Sequence, residues 1–409
     1  MLNWIWAAFF LIAFATALFG TFSGTNPDAL KNVVGSLFDS SKTGFEIAIG
    51  LAGVMSLWLG LMRIAEKGGV TDLIARAVGP LFRRLFPAVP AGHPAIGAIV
   101  MNRSANMLGL DNAATPLGLK AMKELQSLNP DKERASDEMV LFMVMNASSV
   151  TLVPISIMTF RAQLGAANPA DVFVPILIAT YISDITGLLL VAAVQRINIF
   201  NRVVLGWMGA LTLAMAGLVW HFSQLSSADV ATQSGLLANV ILIALVSFFI
   251  GAGVVRKVPV YETFVEGAKE GFQVAIGIVP YLVAMLVAVG ALRASGALEA
   301  FLGAIKVGAS HLAMDTRWVD ALPTALMKPL SGGGARGMMV DTMKAMGADS
   351  FAGRLSCVIQ GSTETTFYVL AVYFGSVGVK KTRHALACAL AAELAGVLAA
   401  IGVSYLFFG

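Results

Sequence analysis

The sequence predicts an all-α integral membrane fold: two inverted-topology repeats, each with broken and re-entrant helices, joined by one extra transmembrane helix. Three observations predict it. Of 409 residues, 57% are hydrophobic and only 13% are charged, about half the charged share of soluble domains, and the mean hydropathy is +0.79. Apolar stretches long enough to cross a bilayer recur along the chain, while two further apolar regions are interrupted by Pro, Gly and polar residues. Three short patterns of the first half return, in order, in the second.

Stretches of about 20 apolar residues span the hydrocarbon as helices. They run at about 2–20, 45–65, 138–163, 171–195, 203–223, 236–254, 271–293, 352–376 and 384–408. The first carries Ala15-Thr16-Ala17, which looks like a cleavage site, but it has no basic n-region and is read as retained. Regions 94–122 and 319–347 are interrupted by Asn102, Asn106, Asn112 and Pro116 in one and by Pro323, Pro329 and Ser331-Gly332-Gly333-Gly334-Ala335-Arg336-Gly337 in the other. Irregular backbone at membrane depth must be surrounded by protein or a water-filled cavity, so both are read as re-entrant hairpins or half-helices that cross the membrane zero or two times net. Segment 126–137 reads as a solvated charged connector. Arg76, Arg83 and Arg84 opposite Leu73, Ile74, Ala77, Leu81 and Leu85 give an amphipathic helix lying along the interface.

Basic residues flank the loops near Arg196 and Arg202, Arg256 to Lys269, and Lys380 to Arg383, whereas loop 221–235 carries none. The positive-inside rule then places the N-terminus in the cytoplasm of a bacterial inner membrane and the C-terminus outside. The net charge of +4, from 28 basic and 24 acidic residues without a clustered run, argues against nucleic acid as a partner. Cys357 and Cys388 sit in apolar runs, and the four histidines have no ligand spacing, so neither a disulfide framework nor a metal site is expected. No P-loop is present.

The repeat is carried by Gly44-Phe45-Glu46-Ile47-Ala48-Ile49-Gly50 against Gly271-Phe272-Gln273-Val274-Ala275-Ile276-Gly277, with Gly69 and Asp72 meeting Gly296 and Glu299 at the same shift. Asn146-Ala147-Ser148-Ser149-Val150-Thr151 matches Gln360-Gly361-Ser362-Thr363-Glu364-Thr365, and Asp184-Ile185-Thr186-Gly187 matches Glu393-Leu394-Ala395-Gly396. With the charge pattern, matched spans run in opposite directions, and 203–223 is the odd crossing that joins two inverted copies. The expected units are 1–200, a linker helix within 201–235, and 236–409.

The candidate site residues follow from solvation. Asn146, Ser148, Ser149 and Thr151 precede Pro154, which removes a backbone donor. Their counterparts Gln360, Ser362, Thr363, Glu364 and Thr365 form the second break, and the two breaks are expected to face one another. The hairpin tips, Asn106, Asn112 and Thr115 on one side and Ser331, Gly332, Gly333, Gly334 and Arg336 on the other, should close the same cavity. The alternative for all these groups is polar glue between helices. Bare amides beside Arg336 suit an anion; without a preceding strand, the glycine run is not a dinucleotide loop. Asp184, Glu364 and Glu393 are ion-coupling candidates, since a carboxylate at mid-membrane costs about 2.5 kcal/mol or more and must face protein or water.

Three strings resemble a known family. Gly109-Leu110-Asp111-Asn112-Ala113-Ala114-Thr115-Pro116-Leu117-Gly118-Leu119-Lys120-Ala121-Met122 resembles spore maturation protein A. Lys257-Val258-Pro259-Val260-Tyr261-Glu262-Thr263-Phe264-Val265-Glu266-Gly267 and Gly361-Ser362-Thr363-Glu364-Thr365-Thr366-Phe367-Tyr368-Val369 resemble spore maturation protein B. The resemblance covers about 1–200 and 236–409, and both halves look like Gate, or nucleoside-recognition, domains. It implies transport without naming a substrate, and the fusion of two separately encoded proteins leaves a sporulation role open.

The expected function is secondary transport of a small polar or anionic solute, nucleoside-like or envelope-related, by alternating access. The alternative is a non-transporting scaffold in cell-envelope or spore maturation. No enzymatic activity and no cofactor is expected beyond a coupling Na+ or H+. The expected partners are the lipid bilayer and the solute, with homo-oligomerisation left open.

Overall fold

The computed structural model describes residues 2–90, 92–108, 111–148, 151–152 and 154–409. Among them the regular structure is helical. The first half holds α1 (Leu2–Ser23), α2 (Ala29–Lys67), α3 (Val70–Leu85), α4 (Pro94–Met107), α5 (Asp111–Leu128), α6 (Asp137–Ala147), α7 (Ile155–Gln163) and α8 (Phe173–Gln195). After α9 (Arg202–Ser223) and α10 (Ser227–Val255) come α11 (Val260–Ala294), α12 (Ala297–His311), α13 (Leu322–Met327), α14 (Gly332–Met346), α15 (Phe351–Ser362), α16 (Thr366–Ser376) and α17 (Ala385–Phe408). Seven described helices, α1, α2, α8, α9, α10, α11 and α17, are long and apolar enough to cross a bilayer. The protein is an all-α membrane protein. Trp4, Leu11 and Phe19 on α1, Leu213 and Trp220 on α9, and Ile243 and Val254 on α10 are exposed, as lipid-facing side chains are, because hydrocarbon tails are as apolar as leucine.

The longest helices form the spine. α2 and α11 pack antiparallel, with Ser40 beside Gly290, Gly44 beside Val283, Ser56 Oγ donating to Ala268 O at 2.9 Å, and Lys67 paired with Glu266. Glycine permits this approach: a Cβ on Gly271 would lie 2.6 Å from Met55 O and Ser56 N. Close backbone contact through small residues replaces the hydrophobic drive that lipid removes. Both helices end at a left-handed glycine, Gly69 (φ 73°) and Gly296 (φ 84°), which starts α3 and α12 respectively. These two glycines match in the sequence at one shift. α8 and α17 also run antiparallel, with Ser183 beside Gly396 and Gly187 beside Ala392.

Several readings of the sequence are corrected. Spans 138–163 and 352–376 are not continuous helices: each divides, into α6 and α7 and into α15 and α16. The polar break in each takes the backbone out of the helical ladder, and other segments satisfy its freed groups. Leu152 N donates to Met107 O (2.9 Å), Glu364 N to Ala147 O (2.8 Å) and Phe367 N to Pro329 O (3.0 Å). Regions 94–122 and 319–347 each consist of helical arms, α4 with α5 and α13 with α14. α3 buries Val78, Phe82 and Leu85, while Leu73 and Ala77 turn outward. Segment 126–137 does more than connect. It is docked on the 377–384 loop, where Ala135 N donates to Lys381 O and Gln126 Nε2 to Val377 O, both at 3.0 Å.

Candidate functional site

A cavity of about 420 Å³ lies among α2, α7, α11, α14 and the two helix breaks, within the range of small-molecule sites. α2 contributes the apolar Leu51, Met55 and Leu59, and α11 contributes Val274 and Ile278. Polar lining comes from both halves, Arg63, Glu66, Asn106 and Thr151 from the first and the second break from the other, where α15 ends at Ser362 and Thr363 is extended (φ −150°, ψ 171°).

Of the sequence candidates, Asn106, Thr151, Gly332, Arg336, Gln360, Thr363, Glu364 and Thr365 line this cavity. Two of them are buried with an unpartnered polar atom, Gln360 Oε1 and Thr363 Oγ1, at 8% and 4% exposure. Such atoms are costly unless something occupies the cavity. Ser331 caps α14, its Oγ accepting from Gly334 N at 3.0 Å, and Gly333 follows Gly332 in the first turn. Ser362 Oγ is spent on Ile359 O (2.8 Å).

The remaining candidates lie elsewhere. Asn146 accepts from Asn106 Nδ2 (2.9 Å) and donates to Phe142 O (2.8 Å). Ser148 donates to Asp184 Oδ1 (3.2 Å). Thr115, on α5, is half-buried and does not line the cavity. Ser149 and the Asn112 side chain lie outside the described residues. Asp184 pairs with Arg103 at 2.6 Å, and the same guanidinium donates to Met145 O at 2.6 Å. Glu393, at the matching sequence position, is buried; its Oε2 accepts from Thr366 Oγ1 at 2.7 Å while Oε1 has no partner.

Reading the sequence passed over the cations. Lys328, buried at the end of α13, donates to Gln360 O at 2.8 Å and lines the cavity. Arg63, Glu66 and Glu270 line it as well. Arg103 and Arg161 are buried, each beside a carboxylate. Lys328, Arg103 and Arg161 had a visible signal, a cation inside a largely apolar stretch, which must be paired or functional. Among the described residues no group of three or more His, Cys, Asp or Glu could hold a metal ion.

Besides the Lys67 and Arg63 pairs with Glu266 between α2 and α11, two ionic clamps join loop segments of the halves among the described residues. In one, Arg161, fully buried, meets Asp171 (2.8 Å), Asp349 (2.9 Å) and Ala348 O (2.6 Å), and Arg354 also holds Asp171 (2.7 Å). It ties the loop after α7 to the segment before α15. In the other, Lys380 meets Glu133 and Arg383 meets Asp137, both at 2.6 Å. It ties the loop after α16 to the segment before α6.

Comparison with known proteins agrees with this architecture. The family model for nucleoside recognition (Gate) matches residues 48–164 and 275–380, more than half of the chain. Spore maturation protein B of Bacillus subtilis (strain 168) is 49% identical over 157 residues, 38% of this chain and 86% of that protein. Spore maturation protein A of the same organism is 38% identical over 190 residues, 46% of this chain and 93% of that protein. No solved structure matches. The chain belongs to the Gate (nucleoside recognition) family.

Proposed function

We propose that this Gate-family protein is a secondary transporter that carries a small polar or anionic solute across the bacterial inner membrane by alternating access. The observation that carries the reading is the pair of buried, unpartnered acceptor groups, Gln360 Oε1 and Thr363 Oγ1, on the wall of a cavity between two broken helices. Buried polar atoms without a partner need an explanation; Thr263 Oγ1 and Ser404 Oγ are others, but Gln360 Oε1 and Thr363 Oγ1 belong to residues lining a cavity that a solute could enter. The two halves are proposed to be inverted copies, with the N-terminus cytoplasmic. The antiparallel packing of α2 on α11 and of α8 on α17 supports that arrangement, as does the recurrence of a broken helix in each half. In this arrangement the two clamps lie at opposite membrane faces and close the cavity in turn. The proposal involves no enzymatic step and no cofactor beyond a coupling Na+ or H+, for which Glu364 in the cavity wall is the proposed carrier.

The second reading is a non-transporting scaffold in envelope or spore maturation, favoured by the names of the two relatives. Purified protein reconstituted in liposomes separates the two. Nucleosides, dicarboxylates and muropeptides are screened for thermal stabilisation and then for uptake. Transport predicts stabilisation by one class, weakened in Thr363→Val, and uptake whose pH or ion dependence disappears in Glu364→Gln. Absence of any stabilising solute, or uptake unchanged in both variants at equal expression, refutes it.

A further inference from the structure

Six charged side chains line the cavity: Arg63, Glu66, Glu270, Lys328, Arg336 and Glu364. Four are already engaged by the protein. Arg63 meets Glu66 and Glu266, each at 2.9 Å. Lys328 holds Gln360 O, and Glu364 is also held by other groups of the protein. Arg336 and Glu270 remain. Among the described residues, neither has an oppositely charged group within 4 Å nor a hydrogen-bond partner. The one contact of the Arg336 guanidinium is the Phe160 ring, 5.9 Å away. A charge left without a partner in a half-buried site carries its desolvation cost uncompensated.

The surroundings of each charge match its sign. Arg336 lies in the first turns of α14, whose leading amides have no helical acceptor. Ser331 Oγ takes the amide of Gly334, leaving those of Gly332 and Gly333 without a helical acceptor, and Gly332 lines the cavity. Gly332 must be small there: a Cβ would lie 2.8 Å from Thr365 Oγ1. Guanidinium plus bare amides is a carboxylate seat. Glu270, on α11, offers only acceptors, so it calls for N–H donors, and the orphaned Gln360 Oε1, an acceptor elsewhere on the cavity wall beside Lys328, calls for one more. Both charges flank one stretch of α2. Gly271 abuts Met55 and Ser56, and Phe160 shares a core cluster with Leu51 and Met55.

We infer that the solute is a compact zwitterion of the amino-acid type, its carboxylate on Arg336 and the first α14 amide and its ammonium toward Glu270. This rests on the transport-site reading of the cavity and narrows it. One free cation and one free carboxylate ask for a solute that brings both signs. A simple anion would leave Glu270 unpaired, and an uncharged nucleoside would leave both.

The test uses the full chain in nanodiscs and reads ligand-dependent thermal stabilisation and calorimetric affinity. The twenty proteinogenic amino acids are tried singly, then the amide and the N-acetyl form of whichever binds best, with uridine and adenosine as uncharged controls. The expected result is binding of at least one free amino acid, with each singly charged form weaker by about tenfold or more, because a polar site rejects an analogue that leaves its groups unpaired. Arg336→Gln should weaken the free acid to the level of its amide and leave the amide unchanged, and Glu270→Gln should do the same for the N-acetyl form. The analogue series on the unaltered protein decides the matter even if a variant does not fold. An amide or N-acetyl form that binds as well as the parent overturns the inference. So does binding of uridine or adenosine with no amino acid bound, which leaves the transport reading standing. If no solute binds at all, both fall.

Discussion

Replacing Arg161 with Met should cost far more than breaking any exposed pair, and the structure sets the size. The guanidinium has no solvent exposure, pairs with Asp171 and Asp349, and donates to Asp349 and to the Ala348 carbonyl. Methionine fills much of the volume but strands those acceptors. Removing one partner of a buried ion pair typically costs about 3–5 kcal/mol. Arg354 still holds Asp171 at 2.7 Å, so the lower end, about 3 kcal/mol, is expected. The internal control is the other clamp. Lys380 and Glu133 are 71% and 61% exposed, and Lys380→Met should cost no more than about 1 kcal/mol. Both are read by reversible unfolding of purified protein in mixed micelles, from tryptophan fluorescence against SDS fraction. A loss below about 1 kcal/mol for Arg161→Met, or one equal to that of Lys380→Met, would refute the claim that the buried clamp holds the halves together.

Gly271→Val places a branched side chain on the Met55–Ser56 backbone, where even a Cβ stands at 2.6 Å; an overpacking loss of about 1–3 kcal/mol is expected, and unchanged unfolding would show that α2 and α11 are not held this tightly. His384, before the first turn of α17, sits 3.0 Å from Gln195 Nε2, and burial, then the Arg383 charge, holds its imidazole below the ordinary 6.5. The unfolded chain therefore takes up that proton more readily, so stability present above pH 6.5 declines as pH falls through the window below it; His384→Gln should flatten this dependence, and an identical pH profile in the variant would contradict it. Asp184→Asn strands the Arg103 guanidinium and should cost about 3–5 kcal/mol, whereas Glu393→Gln keeps an acceptor for the Thr366 hydroxyl and should cost under about 1 kcal/mol; equal losses in denaturation would sink the distinction.

The membrane fold was legible because it rests on composition and on the length of apolar runs, which lipid imposes directly. The breaks at 146–151 and 360–365 were also legible, since hydroxyls and amides inside an apolar stretch have no other place to be satisfied. Their consequence was not. Segments 138–163 and 352–376 have the hydropathy of single spans, and only tertiary hydrogen bonds such as Glu364 N to Ala147 O make the division into two helices affordable. The cavity wall was half legible. Gln360, Thr363 and Glu364 stand in the break itself, but Glu270 belongs to a long regular helix and Lys328 to a short one. Nothing local marks which turn of α11 faces a cavity, because that depends on how α11 crosses α2 and α14. Arg103 had been invisible as the partner of Asp184 for the same reason: the pair joins α4 to α8 across 81 positions of sequence.

The two halves share an order of elements but divide the polar work unequally, and the cause can be traced to a few side chains. At the first break, Asn146 Oδ1 accepts from Asn106 and from Tyr373 Oη, and Ser148 reaches Asp184, which Arg103 neutralises. Asn146 and Ser148 are thereby engaged by the protein, while Thr151 lines the cavity. At the second break, Gln360 stands where the sequence match places the counterpart of Asn146, yet its Oε1 has no partner. The hairpin arm that faces it supplies Gly332 and Gly333, which have no side chain to offer, and an arginine that finds no carboxylate. Satisfaction on one side rigidifies, and its absence on the other leaves donors and acceptors for a ligand. The second break is thereby the less internally bonded of the two, although both halves line the cavity, Arg63, Asn106 and Thr151 from the first and Gln360, Thr363 and Arg336 from the second.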